Sequence, residues 1–363
     1  MADFTPVLPD GALLWRCILD PEATPPPADT AALSRAADLF AQCVSPVLAE
    51  FLLDPWCRRT GIGLIAPEAL AQSRLVARFN LAQQQRCAAD LVGAGFDLVF
   101  MKGFANAHLF YPDPVLRMQG DLDILVRESE LPGLVEYLSA KGFAFRPMPV
   151  KPWGMISDAS YFPFVSADGG CDIDLHILPD CFPAHRSLTT NRLFDAAVSV
   201  DIAGATCSLP GPDHAFLLCI SNAAKDKFGA NALRKVIDAI LMVRGEAPPD
   251  MARVAALARE GGFLGPAVVF CRLLIGLGLA PNGFPPELRR SLPGFRAREF
   301  DRMAADFKSL FPGEPGLGGM LWREWALCAE PAVALHNLGL RFRGLVRKRA
   351  GFPAGAPVDR NFH

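Results

Sequence analysis

The sequence predicts an α+β protein: a small mixed sheet with flanking helices, set between an N-terminal helical segment and a helical C-terminal domain. Three observations carry this expectation. Short β-type runs gather between about residues 91 and 200. Apolar residues at helical spacing fill the chain before and after them. Abundant Pro (32) and Gly (31) punctuate the chain, so its elements should be short. A chain of 363 residues can bury a sizeable core. The expected divisions are 1–90, 91–200 and 201–363.

The elements follow in order. Residues 1–29 end in a proline-rich linker, after which Asp29 or Thr30 can cap a helix over about 31–53. Asp54-Pro55 reads as a turn. A long helix is expected over 67–94, with Pro67 in its first turn and Gly93 and Gly95 near its end. Phe96 to Met101 reads as a buried strand running into Lys102-Gly103 and a short helix, which Tyr111-Pro112-Asp113-Pro114 breaks. A strand at 121–127, a helix at 129–141 closed by Gly142, and a hairpin of strands at 161–166 and 171–178 complete the central region. Beyond about residue 190 the pattern is helical at 212–228, 231–244, 250–260, 264–279 and 297–310, with one short strand at 205–209.

Composition narrows the function classes. The net charge of −2 gives no electrostatic footprint of nucleic-acid binding. No apolar run reaches the ~18–20 residues of a transmembrane helix. The N-terminus lacks a basic region ahead of an apolar run, so no signal peptide is expected. The ten cysteines are scattered without paired spacing, as in a reduced cytoplasmic protein that uses them as small hydrophobes. The basic run Arg341 to Arg349 reads as a solvated helix end, with peripheral contact to membrane headgroups or to an acidic partner as the alternative.

The chemistry is concentrated in two acidic alternations. Asp121 and Asp123 lie at i and i+2 of a strand and so share a face, while Leu122 and Ile124 turn to the core. Asp172, Asp174 and His176 form a second alternation of the same kind. Carboxylates brought that close repel and resist ionising together. A divalent ion with hard-oxygen preference, Mg²⁺ or Mn²⁺, removes the penalty and suits phosphoryl or nucleotidyl transfer.

The order of Met101-Lys102-Gly103, Tyr111-Pro112, Arg117 ahead of Asp121-Leu122-Asp123, Lys141-Gly142-Phe143 and Ile173-Asp174-Leu175-His176 is specific. It resembles the nucleotidyltransferase superfamily with the DNA polymerase beta type of core, and within it the bacterial family called uncharacterised nucleotidyltransferase. The resemblance is strong over about 95–180. It implies that Asp121 and Asp123 ligate metal and that Asp174 is the third carboxylate, orienting or deprotonating an acceptor hydroxyl. Asp172 competes for that third place. Gly103 would let the backbone approach the nucleotide phosphates where other superfamily members carry Gly-Ser. This chain has Lys102-Gly103-Phe104, so Lys102 would supply a cationic phosphate contact.

The remaining candidates stay open between functional and structural readings. Arg117 either forks onto triphosphate or pairs with the acidic cluster. His176 is a metal ligand, a supporting partner, an acceptor contact or a buried hydrogen-bonded histidine. Arg234 and Asp238 either line the cleft or form an i,i+4 surface pair, and Asn222, Lys225 and Lys227 sit near the same place in the resemblance. The implied activity moves an NMP group from NTP to a hydroxyl of a small molecule, saccharide, peptide or protein, with release of pyrophosphate. The alternatives are a weakly active nucleotide-binding regulatory protein and a phosphotransferase on the same fold.

Overall fold

A computed structural model describes residues 11–145, 160–166, 170–180, 183–309 and 316–339. The basic run at 341–349 lies outside the described residues. Four helices lead into the sheet: α1 (Gly11–Leu19), α2 (Thr30–Val44), α3 (Pro46–Thr60) and α4 (Pro67–Gly93). Asp29 caps α2 by accepting from the Ala31 and Ala32 amides at 2.9 and 3.2 Å. The single helix expected over 31–53 is in fact two. Pro46 drives Ser45 out of helical geometry, and the Ser45 hydroxyl then caps α3 by accepting from the Leu48 amide at 3.2 Å.

The turn expected at Asp54-Pro55 is also corrected, because Pro55 lies inside α3. Tertiary anchoring overrides the local breaker there. Trp56 is fully buried and its indole donates to the Thr24 carbonyl at 2.9 Å. Gly61, at φ +71°, ends the helix and donates back to the Cys57 carbonyl. α1 lies ahead of the expected proline-rich linker and was not singled out in the sequence; its Trp15 indole donates to the Phe307 carbonyl at 2.7 Å. That docking supplies what nine residues of local propensity cannot.

The central elements are β1 (Leu98–Phe100), α5 (Lys102–Phe110), β2 (Asp121–Val126), α6 (Leu131–Ala140), β3 (Ala144–Phe145), β4 (Ser160–Val165), β5 (Asp172–His176), α7 (Thr190–Asp195), β6 (Val198–Ile202) and β7 (Ala205–Leu209). They build one mixed sheet in the order β3-β4-β5-β2-β1-β7-β6. β2 runs antiparallel to β1 and parallel to β5. The β6 strand was not evident in sequence. It pairs with β7 through Ala203 and Gly204, both left-handed at φ +53° and +81°, which is the geometry of a two-residue hairpin turn. Alanine in place of the usual Asn or Asp hid the signal.

The two faces of the sheet have different duties. Phe100, Leu122, Ile124, Ile173 and Leu175 are buried on one face against Leu91 of α4 and Leu131, Leu134 and Leu138 of α6. Val99 and Leu125 turn to the other face and join a core shared with the first three helices and the C-terminal helices. Those are α8 (Pro212–Lys225), α9 (Ala232–Arg244), α10 (Met251–Glu260), α11 (Leu264–Leu277), α12 (Pro286–Arg289), α13 (Gly294–Lys308) and α14 (Leu317–Arg323). α14 continues into a π-helical turn, Glu324–Cys328, and a helical stretch at 331–339 follows. Among the described residues, no helix is long and apolar enough to cross a membrane.

Candidate active site

The parallel register of β2 and β5 sets the site. Asp121 pairs with Asp172, and Asp123 with Asp174. Strand periodicity turns both alternations to the face shared with α8 and α9, where a cavity of about 430 Å³ opens. Lys102, Gly103, Asp121, Asp123, Asp174, Arg117, Asn222, Arg234 and Asp238 all line it. Asp172 does not line that cavity. Lys102 and Arg234, far apart in sequence, therefore meet across one hollow.

The tightest grouping is Asp123, Asp174 and His176, each of which brings one ligand-type atom within 4.8 Å of the others. His176 is fully buried. Its Nε2 lies 2.8 Å from Asp123 Oδ1 and 3.5 Å from Asp174 Oδ2. Its Nδ1 is buried without a hydrogen-bond partner among the described residues. The donor set fits a hard divalent ion, since carboxylate oxygens dominate it and Asp121 adds another at the cavity wall.

Electrostatics divide the two β2 carboxylates. Burial alone would raise Asp123, but the Lys102 ammonium and the His176 hydrogen bond hold its carboxyl at about 2. Asp121 goes the other way, pushed up to about 6 by the protein packed around it and then by the charges of Asp123 and Asp174. It is exposed at the cavity wall all the same. His176 is pulled down by burial and by Lys102, yet its bonds to Asp123 and Asp174 leave it raised overall.

Lys102 begins α5 at φ +51°, left-handed for a non-glycine residue. Its Nζ reaches Asp123 Oδ1 at 2.5 Å and His176 Nε2 at 3.2 Å. Gly103 follows in the first helical turn, where amides lack intrahelical acceptors and face anions favourably. A Cβ at Gly103 would stand 3.0 Å from Gln119 Oε1 and 3.1 Å from Gln119 Cβ, so glycine keeps that approach open.

Arg117 forks onto Asp238, with Nε and Nη2 at 2.7 and 3.0 Å from its two oxygens. Tyr111 and Asn106 complete the set by donating to the same carboxylate at 2.6 and 3.0 Å. Asp238 is 1% exposed, so it is no surface pair with Arg234. Arg234 instead lines the cavity, half-buried, its guanidinium pulled down by burial and by the nearby Arg117 charge. Lys225 turns to Asp180 at 2.9 Å and Lys227 to Glu324, away from the cavity wall. Asn222 lines the cavity and donates to the Leu218 carbonyl at 2.7 Å.

Sequence reasoning missed Asn106, Gln119 and Asn231 on the wall. Gln119 Nε2 donates to Gln84 Oε1 at 2.6 Å, and Gln84 reaches the Asp121 carbonyl at 3.4 Å. The proximity of Gln119 to the acidic strand was the available signal.

A mixed sheet flanked by helices, with strand carboxylates lining a cavity beside a Lys-Gly helix start, is consistent with a nucleotidyltransferase-like α+β fold. The sequence profile of the family described as uncharacterised nucleotidyltransferase matches residues 66–275, more than half of the chain, and the chain belongs to that family. A comparison with curated proteins gave no match.

Proposed function

We propose that the cavity binds a nucleoside triphosphate with Mg²⁺ or Mn²⁺ and transfers its NMP group to an acceptor hydroxyl, releasing pyrophosphate. The observation that carries this reading is the convergence of Asp121, Asp123, Asp174, Lys102 and Gly103 on one cavity whose far wall holds Arg234. Asp123, Asp174 and His176, with Asp121 beside them, would hold the ion, which supplies charge stabilisation for the attacking and leaving oxygens. The Gly103 amide and the Lys102 and Arg234 cations receive the triphosphate charge. The acceptor oxygen attacks the α-phosphorus, its proton passes to Asp174, and the bond to the β-phosphate breaks with its electrons leaving on pyrophosphate. Catalysis by positioning and charge complementarity is what such a site can supply.

The Arg117–Asp238 pair anchors the cavity wall instead of gripping phosphate. Residues 91–200 would carry the transfer chemistry, and the helices beyond 201 would choose among small-molecule, saccharide, peptide and protein acceptors. Among the described residues the cysteines are free thiols, in keeping with a cytoplasmic setting.

The test is transfer of label from α-³²P nucleoside triphosphates in cell lysate with Mg²⁺ or Mn²⁺, comparing wild type with Asp121→Asn. Label should move to an acceptor with wild type and fall by about 100-fold or more in the variant. Equal transfer by the variant refutes the mechanism. Transfer of γ-label with NDP release would identify a phosphotransferase, and nucleotide binding without transfer a regulatory protein.

A further inference from the structure

The Lys102 side chain contacts two of the three residues of the ligand cluster. Asp123 Oδ1 is approached at once by Lys102 Nζ at 2.5 Å and His176 Nε2 at 2.8 Å. The same ammonium lies 3.2 Å from His176 Nε2. Both contacted residues belong to the group that could hold a metal. A carboxylate oxygen engaged by two close neighbours has little left to offer an incoming cation. Two cations at one buried oxygen also repel, since little water screens them.

The Lys102 backbone makes this arrangement unusual. A left-handed φ of +51° at a lysine costs about 1 kcal/mol or more and persists only when its surroundings enforce it. The residue sits between β1 and the first turn of α5, beside Gly103 and inside the cavity lining. Its side chain is 18% exposed, so its ammonium has a way out toward the cavity. The four-carbon stem can carry the charge between two positions with no change of fold.

We propose that Lys102 is a tethered cation that competes with the divalent ion for Asp123, so that phosphate groups entering at Gly103 draw it off and promote metal binding. This rests on the reading of Asp123, Asp174 and His176 as the metal site. It goes beyond that reading by assigning one ammonium two alternative partners. Its consequence is order: metal binds weakly to the nucleotide-free protein and tightly once triphosphate holds Lys102. Binding is then coupled, and each ligand strengthens the other by the same factor.

The experiment is Mn²⁺ titration of the full chain without nucleotide, followed by the EPR signal of free Mn²⁺. Lys102→Met should tighten Mn²⁺ binding by roughly tenfold or more over wild type, while Lys102→Arg, which keeps the charge, should not. Unchanged or weaker binding by Lys102→Met overturns the proposal. Asp123→Asn separates the two ideas. If Asp123→Asn leaves wild-type-like Mn²⁺ binding, the metal-site reading itself fails; if it abolishes binding and Lys102→Met changes nothing, only the competition fails. A second readout uses the unaltered protein, with limited acylation of lysines mapped by mass spectrometry. Acylation of Lys102 should rise several-fold when Mn²⁺ occupies the site, and unchanged acylation at saturating Mn²⁺ overturns the proposal.

Discussion

Asp123 is the residue on which the charges of the site converge, and single substitutions follow from its surroundings. Asp123→Asn leaves Lys102 and His176 without their shared anion, so it should abolish metal binding and lower thermal stability together, as Mn²⁺ titration and melting curves would read. Arg117 and Asp238 are a different case. Their pair is buried and bidentate, and Tyr111 and Asn106 saturate the remaining lone pairs. Arg117→Met strands the Asp238 carboxylate and should cost about 3–5 kcal/mol in denaturant unfolding, far more than a phosphate contact alone would explain. His108 gives an acid limb to stability. Burial lowers it to about 4, and its Nε2 has no hydrogen-bond partner among the described residues. The neutral form is favoured in the folded state, so the stability is present above the unfolded value near 6.5 and lost as pH falls from there toward 4. His108→Phe should flatten the loss of melting temperature over that window; an unchanged acid limb contradicts this.

At the scale of elements, the acidic strands were the most legible feature of the sequence and the helix breaks the least. Alternation of Asp121, Leu122, Asp123 and Ile124 gave both the strand and its two faces, because strand periodicity acts residue by residue. The parallel partner β5 placed Asp174 opposite Asp123, and no rule of spacing supplies that register. Asp172 and Asp174 were therefore left as rivals, and only the cavity distinguishes them. The break at Ser45 was readable in principle, since a residue before proline avoids helical geometry. Pro55 inside α3 was not, because the burial of Trp56 that overrides it is tertiary. The Lys-Gly start of α5 carries its own prediction. Gly103→Ala forces Gln119 to yield by a few tenths of an ångström at the first-turn amides. Triphosphate affinity should drop by about tenfold in a calorimetric titration with the melting temperature little changed. Equal affinity would remove Gly103 from the phosphate site.

Across the whole molecule, the sheet separates two cores and the site lies on only one side. Leu122, Ile124 and Ile173 weld one face to α4 and α6, while Val99 and Leu125 join the helices from both ends of the chain. The N-terminal helices are thus part of the body that faces the site, as the Trp15 bond to Phe307 shows. Trp15→Ala should cost about 3–5 kcal/mol in unfolding although it lies far ahead of the acidic strands in sequence. Arg234 and the wall residue Asn231 reach the cavity only through the packing of the C-terminal helices on the sheet, which is why the sequence left Arg234 open between lining the cleft and a surface pair while the acidic strands were legible.

The most direct measurement is anomalous diffraction from crystals soaked with Mn²⁺ and a non-hydrolysable nucleoside triphosphate. A manganese peak is expected among Asp123, Asp174 and His176, with the triphosphate running past Gly103 toward Arg234. Manganese or triphosphate bound elsewhere, with that cavity open in the same crystals, would contradict that placement.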